Sequence, residues 1–288
     1  MKYLGQLLSP RQTQNMGFVI LRLICVVTVL PIIAMVLYIL VRGMPAISWT
    51  FLTAMPSDGM RAGGIFPAIA GTFYLTLGTA IFSVPLGVAA AVYLAEYAPD
   101  NRRTQLIRIA IINLSGIPSV VYGLFGLGLF VLFLRFGTSI LSASLTLSIM
   151  TLPVIISTTE EALRSVPQAF RVVSISLGAT RWQTIRRIIL PQALPGMITG
   201  VILGLERAAG ETAPILFTAA AFYLPRLPHS PFDQTMALPY HLYVIATQVP
   251  GMPQKIQYGT ALVLLALVLG MNLAATIIRS RARARRQW

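Results

Sequence analysis

The sequence predicts an all-α polytopic membrane protein with six transmembrane helices, a cytoplasmic helix pair between spans 4 and 5, and both termini in the cytoplasm. The 288 residues are 56% hydrophobic and only 10% charged, whereas a soluble domain has about a quarter charged residues. The apolar residues form blocks long enough to cross a bilayer as helices. The basic residues lie between and beyond these blocks, so the net charge of +14 indicates membrane topology and not nucleic-acid binding.

Six apolar blocks make the predicted spans, at residues 17–41, 65–95, 109–134, 140–157, 196–224 and 260–278. The first block is longer than the about 7–15 apolar residues of a secretory signal, so we expect it to remain as a span. The third block is interrupted near Pro118, which breaks the helical pattern. Residues 236–247 are expected to form a short interfacial helix. The predicted domains are a cytoplasmic N-terminus at 1–16, one membrane domain at 17–278 and a basic cytoplasmic tail at 279–288.

The distribution of Lys and Arg predicts which side faces the cytoplasm. One side holds fifteen, namely Lys2, Arg11, Arg102, Arg103, Arg108, Arg164, Arg171, Arg181, Arg186, Arg187, Arg279, Arg281, Arg283, Arg285 and Arg286. The other side holds five, namely Arg42, Arg61, Arg135, Arg226 and Lys255. Because cytoplasmic loops carry the excess of Lys and Arg, the first side is assigned to the cytoplasm.

A polar stretch at 160–191 separates the fourth and fifth blocks and predicts a pair of cytoplasmic helices. Gly178 suits the left-handed conformation that ends a helix. Thr180 can cap the next helix, and Gln183 completes a capping box three residues later. Pro191 is expected to end that second helix. We interpret the pair as a surface that another protein binds.

The second helix of the pair is predicted to be amphipathic. Trp182, Ile185 and Ile188 fall on one apolar stripe, and the polar residues lie mostly off it. An alternative is that this helix only lies on lipid headgroups. Physical reasoning from the residues leaves the two interpretations open.

Gly178, followed about a dozen residues later by Leu190 and Pro191, is similar to the cytoplasmic loop of ABC-importer permeases. Residues 172–174 are Val-Val-Ser, where that family usually has Glu-Ala-Ala. The resemblance implies that the loop docks onto a separate ATPase subunit. It assigns to this ATPase-coupling loop Arg171, Gly178, Ala179, Thr180, Trp182, Arg186, Leu190 and Pro191.

The fifth block carries three charges near its middle, at Glu206, Arg207 and Glu211. A charge at the bilayer centre costs at least about 2.5–3.5 kcal/mol in insertion free energy, so three charges together indicate a structural or functional role. Arg207 and Glu211 are expected to share a helix face, and Thr212 adds a hydroxyl. One interpretation is that Arg207 meets an oxyanion in a transport pathway while Glu211 competes for the guanidinium. The alternative is an ion pair that only holds helices together. Glu206 points about 100° away from Arg207 and could serve a partner subunit.

The string RAAGETAPILFT at 207–218 resembles the fifth-span signature of the PstA-type permease of the phosphate-specific ABC importer. Three further strings point the same way, GGIFPAIAGT at 63–72, LAEY at 94–97 and GIPSVVYGL at 116–124. The resemblance implies a substrate pathway that includes Arg207, Glu211, Thr212 and Glu206. It also implies a second, PstC-type permease subunit, two ATP-binding subunits and an extracytoplasmic phosphate-binding protein.

Missing motifs and the scarcity of Cys and His argue against several classes of function. The sequence has no Walker A pattern, so a separate chain must bind any ATP that drives transport. One Cys and two His are too few for a disulfide or a metal cluster, and we expect no cofactor, no metal and no enzymatic activity. We therefore expect a phosphate permease in the lipid of a prokaryotic cell membrane.

Three alternatives stay open. The first is the same architecture with another solute, such as sulfate or molybdate. The second is an intramembrane enzyme with Glu206 and Glu211 as acid and base. The third is a channel without ATP coupling.

Overall fold

The computed structural model describes residues 10–284. Residues 1–9 and 285–288, which belong to the predicted cytoplasmic ends 1–16 and 279–288, lie outside the described residues. The described chain forms α1 (Pro10–Gly43), α2 (Trp49–Thr53), α3 (Phe66–Val92), α4 (Arg102–Ser115), α5 (Ser119–Gly126), α6 (Ile140–Arg164), α7 (Gln168–Ser176), α8 (Arg181–Thr184), α9 (Leu190–Gly210), α10 (Ala213–Thr218), α11 (Leu238–Thr247) and α12 (Gln254–Ala284). Turns of π-helix extend α3, α5 and α8 at Tyr93–Tyr97, Leu127–Phe133 and Ile185–Ile189. Strands β1 (Pro56–Ser57) and β2 (Ala62–Gly63) pair antiparallel.

The membrane-spanning segments agree with the six predicted blocks. Within residues 10–284, five helical segments are long and apolar enough to cross a membrane. Together, α4 and α5 with its π-helical turn make a sixth candidate, which is bent by 99°. The count of six spans and the cytoplasmic location of both termini stay predictions.

The first and last long helices form an outer pair. α1 is longer than its predicted span and continues through Pro31. Its most apolar stretch is fully exposed, and it packs on α12, where the rings of Tyr38 and Tyr258 meet edge to face. α1 therefore leaves a wide apolar surface outside the rest of the bundle.

The core of the bundle is built around α6, which packs between α3 and α9. Small residues allow the close approach: a Cβ at Gly87 of α3 would lie 2.6 Å from Cγ2 of Ile155 on α6. On the other side, a Cβ at Gly200 of α9 would overlap the side chain of Thr158. Such small-residue contacts are typical of helix packing in membranes, where backbones approach closely.

The break predicted in the third span is confirmed. α4 ends at Ser115 and α5 begins at Ser119, with Pro118 in an extended conformation between them. The proline lacks an N–H and disfavours a helical conformation at the residue before it. The chain therefore turns sharply at this point.

The prediction that Pro191 ends the second coupling helix is wrong. α8 continues through the π-helical turn Ile185–Ile189 into α9, and Arg181–Gly210 is one spanning segment. The amide of Leu190 donates to the carbonyl of Ile185, five residues back. This wider turn accommodates Pro191, which has no N–H to lose, so the helix is bent but not ended.

The predicted fifth span at 196–224 is divided in the structure. α9 ends at Gly210, and the six-residue α10 begins only at Ala213. Pro214 lies in the first turn of α10, where its missing N–H costs nothing, but in a continuous helix it would clash with the preceding turn. The short helix expected at 236–247 is confirmed as α11.

Candidate functional site

The predicted pathway residues lie where α9 ends. Arg207 is in the last turn of α9, and Glu211 follows the helix in an extended conformation with φ −74° and ψ 138°. Nε of Arg207 and Oε1 of Glu211 are 3.5 Å apart. The two side chains therefore pair across the end of a helix. The prediction was that they would pair along one helix face. They are 34% and 17% exposed, so the guanidinium still reaches open space.

A second helix break lies beside the end of α9. At Gly123 of α5 a Cβ would lie 3.0 Å from Cα of Pro214, so the first turns of α5 and α10 touch. The Tyr122 hydroxyl donates to the carbonyl of Leu114, near the end of α4, at 2.8 Å. The tertiary contacts thus bring the α4–α5 break and the α9–α10 break together.

The sequence pattern alone indicated no role for Tyr122. Its signal was its place in the string at 116–124, which supported the resemblance but could not show that a tyrosine there would bridge two turns of a broken helix. Gly116 and Pro118, between α4 and α5, are exposed. Tyr122 adds a hydrogen bond to the carbonyl of Leu114, whose regular helical partner four residues on would be Pro118, which has no N–H.

Glu206 and Thr212 are placed differently from Arg207. Glu206 is buried within this chain at 9% exposure, and its Oε1 has no hydrogen-bond partner among the described residues. Contact of Glu206 with a partner subunit stays a prediction. Thr212 is half-buried and directly precedes α10. A pathway role for either residue stays a prediction.

The turn of the coupling loop has the predicted geometry. Gly178 has φ +84°, in the left-handed region. Oγ1 of Thr180 accepts a bond from the Gln183 amide at 3.3 Å, and Oε1 of Gln183 accepts from the Thr180 amide at 2.9 Å. The capping box is therefore confirmed, and Ala179 lies within the turn that it closes.

The coupling loop presents an apolar surface. The exposed apolar side chains on α7, on the turn and on α8 are Val172, Val173, Ile175, Leu177 and Trp182. The residues of the predicted apolar stripe on the second helix do not share one environment, because Ile185 is 1% exposed while Trp182 is 54% exposed. Ile185 packs inside the protein, and Trp182 belongs to the outer surface.

A buried polar contact joins the two arms of the loop. Ser174 of α7 and Thr184 of α8 are both buried, and their hydroxyl oxygens are 2.8 Å apart. A small hydroxyl side chain fits this contact, whereas the two preceding valines face outward. Ser174 and Thr184 were not among the predicted site residues.

Arg171 was assigned to the ATPase-coupling loop, and the structure directs its guanidinium inward. Its guanidinium pairs with Glu96, with Nη2 to Oε1 at 2.6 Å and Nε to Oε2 at 3.2 Å. The two side chains are only 15% and 8% exposed. Among the other predicted residues, Arg186 is exposed, and Leu190 and Pro191 begin α9. Contact of these residues with an ATPase stays a prediction.

Comparison with known proteins agrees with this architecture. Residues 83–286 match the family described as "Binding-protein-dependent transport system inner membrane component". The probable ABC transporter permease protein YqgI of Bacillus subtilis (strain 168) is 38% identical over 252 residues, covering 83% of this chain and 85% of the relative. The phosphate transport system permease protein PstA 1 of Mycobacterium tuberculosis (strain ATCC 25618 / H37Rv) is 34% identical over 267 residues, covering 91% and 86%.

The fold is similar to that of solved ABC transporters. A chain of a bacterial alginate ABC transporter, solved in complex with an alginate pentasaccharide-bound periplasmic protein, superposes with a TM-score of 0.65 at 16% identity. The match covers 94% of this chain and 95% of that chain. The family match, the two relatives and the shared fold agree, and the chain therefore belongs to the family of inner membrane components of binding-protein-dependent transport systems.

Proposed function

We propose that this chain is the permease subunit of an ATP-driven ABC importer and forms half of the pathway for inorganic phosphate. The observation that carries the proposal is the Arg207–Glu211 pair, held 3.5 Å apart at the end of α9. The phosphate substrate is supported by the likeness to the mycobacterial phosphate permease. In this proposal the chain moves a solute and catalyses no reaction.

The chemistry of the pair suits transient binding of an oxyanion. The guanidinium stays charged at all relevant pH values and can donate two parallel hydrogen bonds to a tetrahedral oxyanion. At 3.5 Å the contact to Glu211 is long for a charge-assisted bond, so an anion can compete for the donors. When the anion leaves, Glu211 again compensates the positive charge of Arg207, which prevents the substrate from being held permanently.

The surface beside this pair needs a partner. Asn113, Ser115 and Gly116, at the α4–α5 break, are exposed. Polar groups facing hydrocarbon are costly, so we infer that a second, PstC-type permease subunit covers this face and completes the pathway. Two ATP-binding subunits would dock on the apolar surface of the coupling loop, and an extracytoplasmic phosphate-binding protein would deliver the substrate. The assembly would lie in the cell membrane of a prokaryote, with both termini of this chain cytoplasmic.

Uptake of labelled phosphate by the reconstituted transporter tests the substrate. We expect saturable uptake that depends on ATP and on the binding protein. Unlabelled phosphate should reduce the uptake of labelled phosphate, whereas sulfate and molybdate should not. Competition by sulfate or molybdate instead would keep the architecture and overturn the substrate. Solute flux that is independent of ATP would favour a channel.

Replacing Gly178 by valine should weaken the coupling of ATP hydrolysis to transport. A β-branched residue at φ +84° is strained by about 1–3 kcal/mol. No atom lies within 4 Å of a Cβ at this position, so the effect is conformational and not a steric clash. The measurement is the number of ATP molecules hydrolysed per solute imported. Gly178→Asn is the matched control because asparagine tolerates the left-handed region. An unchanged ratio in the valine variant would show that coupling does not depend on this turn geometry.

A further inference from the structure

Two arginines hold the π-helical turn that ends α3. This turn, Tyr93–Tyr97, contains the whole string LAEY, which supported the family resemblance without being assigned a role. The carboxylate of Glu96 accepts two bonds from Arg171 of α7. The carbonyl of Leu94 accepts a bond from Nη2 of Arg108 on α4 at 2.9 Å. The turn is therefore the point where three helices are joined.

Arg171 also connects the coupling helix α7 to the end of α6. Its Nη1 donates to the carbonyl of Val166 at 2.7 Å, and its Nη2 donates to the carbonyl of Leu163 at 2.9 Å. Leu163 lies in the last turn of α6 and Val166 lies just beyond it, so Arg171 adds side-chain bonds where the regular carbonyl pairing of the helix ends. One guanidinium thus satisfies a carboxylate on α3 and two carbonyls at the end of α6 at the same time.

A second ion pair fixes the same region from the other side. Nε of Arg108 on α4 donates to Oε1 of Glu160 on α6 at 2.8 Å, and Arg164 donates to the same oxygen at 3.0 Å. Because Arg108 also binds the π-helical turn, the C-terminal parts of α3 and α6 are linked to the middle of α4 by side-chain bonds. Displacing one of these segments requires moving the others.

The coupling helix α7 is attached to the protein by both apolar and polar contacts, the apolar ones including Phe170. α7 has nine residues, too short to be a stable helix without tertiary contacts. Its exposed valines face away from the protein. Its polar contacts with the rest of the chain include the hydrogen bonds of Arg171 to Glu96, Leu163 and Val166 and the Ser174–Thr184 contact. The Arg171–Glu96 pair is largely buried, and breaking a buried ion pair on one side leaves an uncompensated charge.

We propose that Glu96 is a positioning residue for energy coupling. Through Arg171 it locks α7 to the ends of α3 and α6, so that a displacement of α7 is transmitted to these two membrane helices. Glu96 contacts neither the ATPase nor the substrate in this proposal. The proposal rests on the proposed function, because it assumes that an ATPase moves α7.

The test is a double-mutant cycle on the complete reconstituted complex. Glu96→Gln keeps the size of the side chain and removes its charge, and Arg171→Gln removes the guanidinium. The matched control is Arg103→Gln, which removes the same charge from an exposed position at the start of α4. The readouts are the amount of assembled complex, the rate of ATP hydrolysis, and the ATP hydrolysed per labelled phosphate imported.

We expect Glu96→Gln to raise the ATP hydrolysed per phosphate imported by about tenfold, within the usual range of coupling between distant sites. The complex should still assemble and still hydrolyse ATP. Because both residues act as one unit, the double variant should be no worse than the more affected single variant. Arg103→Gln should retain the wild-type ratio.

The results that would contradict the role of Glu96 differ from the results that would contradict the proposed function. If the wild-type complex is coupled and Glu96→Gln has the same ratio, the positioning role is wrong. If Glu96→Gln instead prevents the ATPase from binding, the pair supports docking and not transmission, which also overturns the proposal. If the wild-type complex shows no solute-dependent ATP hydrolysis, it is the proposed function that fails.

Discussion

Replacing Arg207 by alanine should abolish solute uptake while the transporter still assembles and reaches the membrane. A hydrogen bond to a charged group contributes about 1.5–3 kcal/mol, which corresponds to a loss of roughly tenfold to more than a hundredfold in binding. The loss should lie toward the upper end, because the variant also leaves Glu211 as an unpaired charge at 17% exposure. Initial uptake of labelled phosphate, normalised to the amount of complex, is the measurement.

Two further variants separate a pathway role from a structural ion pair. Arg207→Lys keeps the positive charge but loses the planar fork, so uptake should be reduced but detectable. Glu211→Gln removes the competing carboxylate, so substrate release should slow and uptake should fall with the complex intact. Normal uptake by Arg207→Ala would exclude the residue from the pathway. Loss of the assembled complex in that variant, with normal uptake per remaining complex, would indicate a structural ion pair.

Replacing Gly71 by alanine should strongly reduce the amount of folded protein. A Cβ at Gly71 of α3 would overlap the backbone carbonyl of Met236 and the hydroxyl of Thr235. The same contact region holds a bond from the Leu238 amide to Oγ1 of Thr72 at 2.8 Å, which docks the start of α11 on α3. Overpacking typically costs about 1–3 kcal/mol. We expect the upper part of this range because a backbone carbonyl cannot move aside as a flexible side chain can.

The thermal midpoint of the purified complex and its abundance in the membrane measure this effect. Gly128→Ala is the matched control, because no atom lies within 4 Å of a Cβ there and the residue is exposed. That control should be neutral or slightly stabilising, since alanine loses less backbone entropy than glycine on folding. A wild-type midpoint for Gly71→Ala would mean that the α3–α11 contact is looser than the structure shows.

Local features of the protein were predictable because their causes lie within a few residues. The capping box needs only Thr180 and Gln183 at the right spacing, and the left-handed turn needs only Gly178. The break before Pro118 follows from a ring that lacks an N–H. The apolar blocks follow from the length of helix that a bilayer requires. For these features the sequence and the structure agree.

The same local rules misjudged the fifth span. A proline was expected to end the helix at Pro191, yet a π-helical turn carries the helix past it. The fifth span was expected at 196–224, yet α9 stops at Gly210. Whether a proline ends, bends or begins a helix depends on whether the neighbouring helices and turns satisfy the released backbone groups, and a local pattern does not contain that information.

By itself, the sequence determined the class of the protein, the approximate spans, the position of the coupling loop and the cluster of charges that includes Arg207 and Glu211. Only the tertiary structure decided that Arg171 turns inward to Glu96, 75 residues away in the chain. It also decided that the α4–α5 break and the α9–α10 break lie against each other, through the approach of Gly123 to Pro214. The physical reason is that a buried charge or a released carbonyl must find a partner somewhere, and packing, not sequence proximity, decides which partner is within reach.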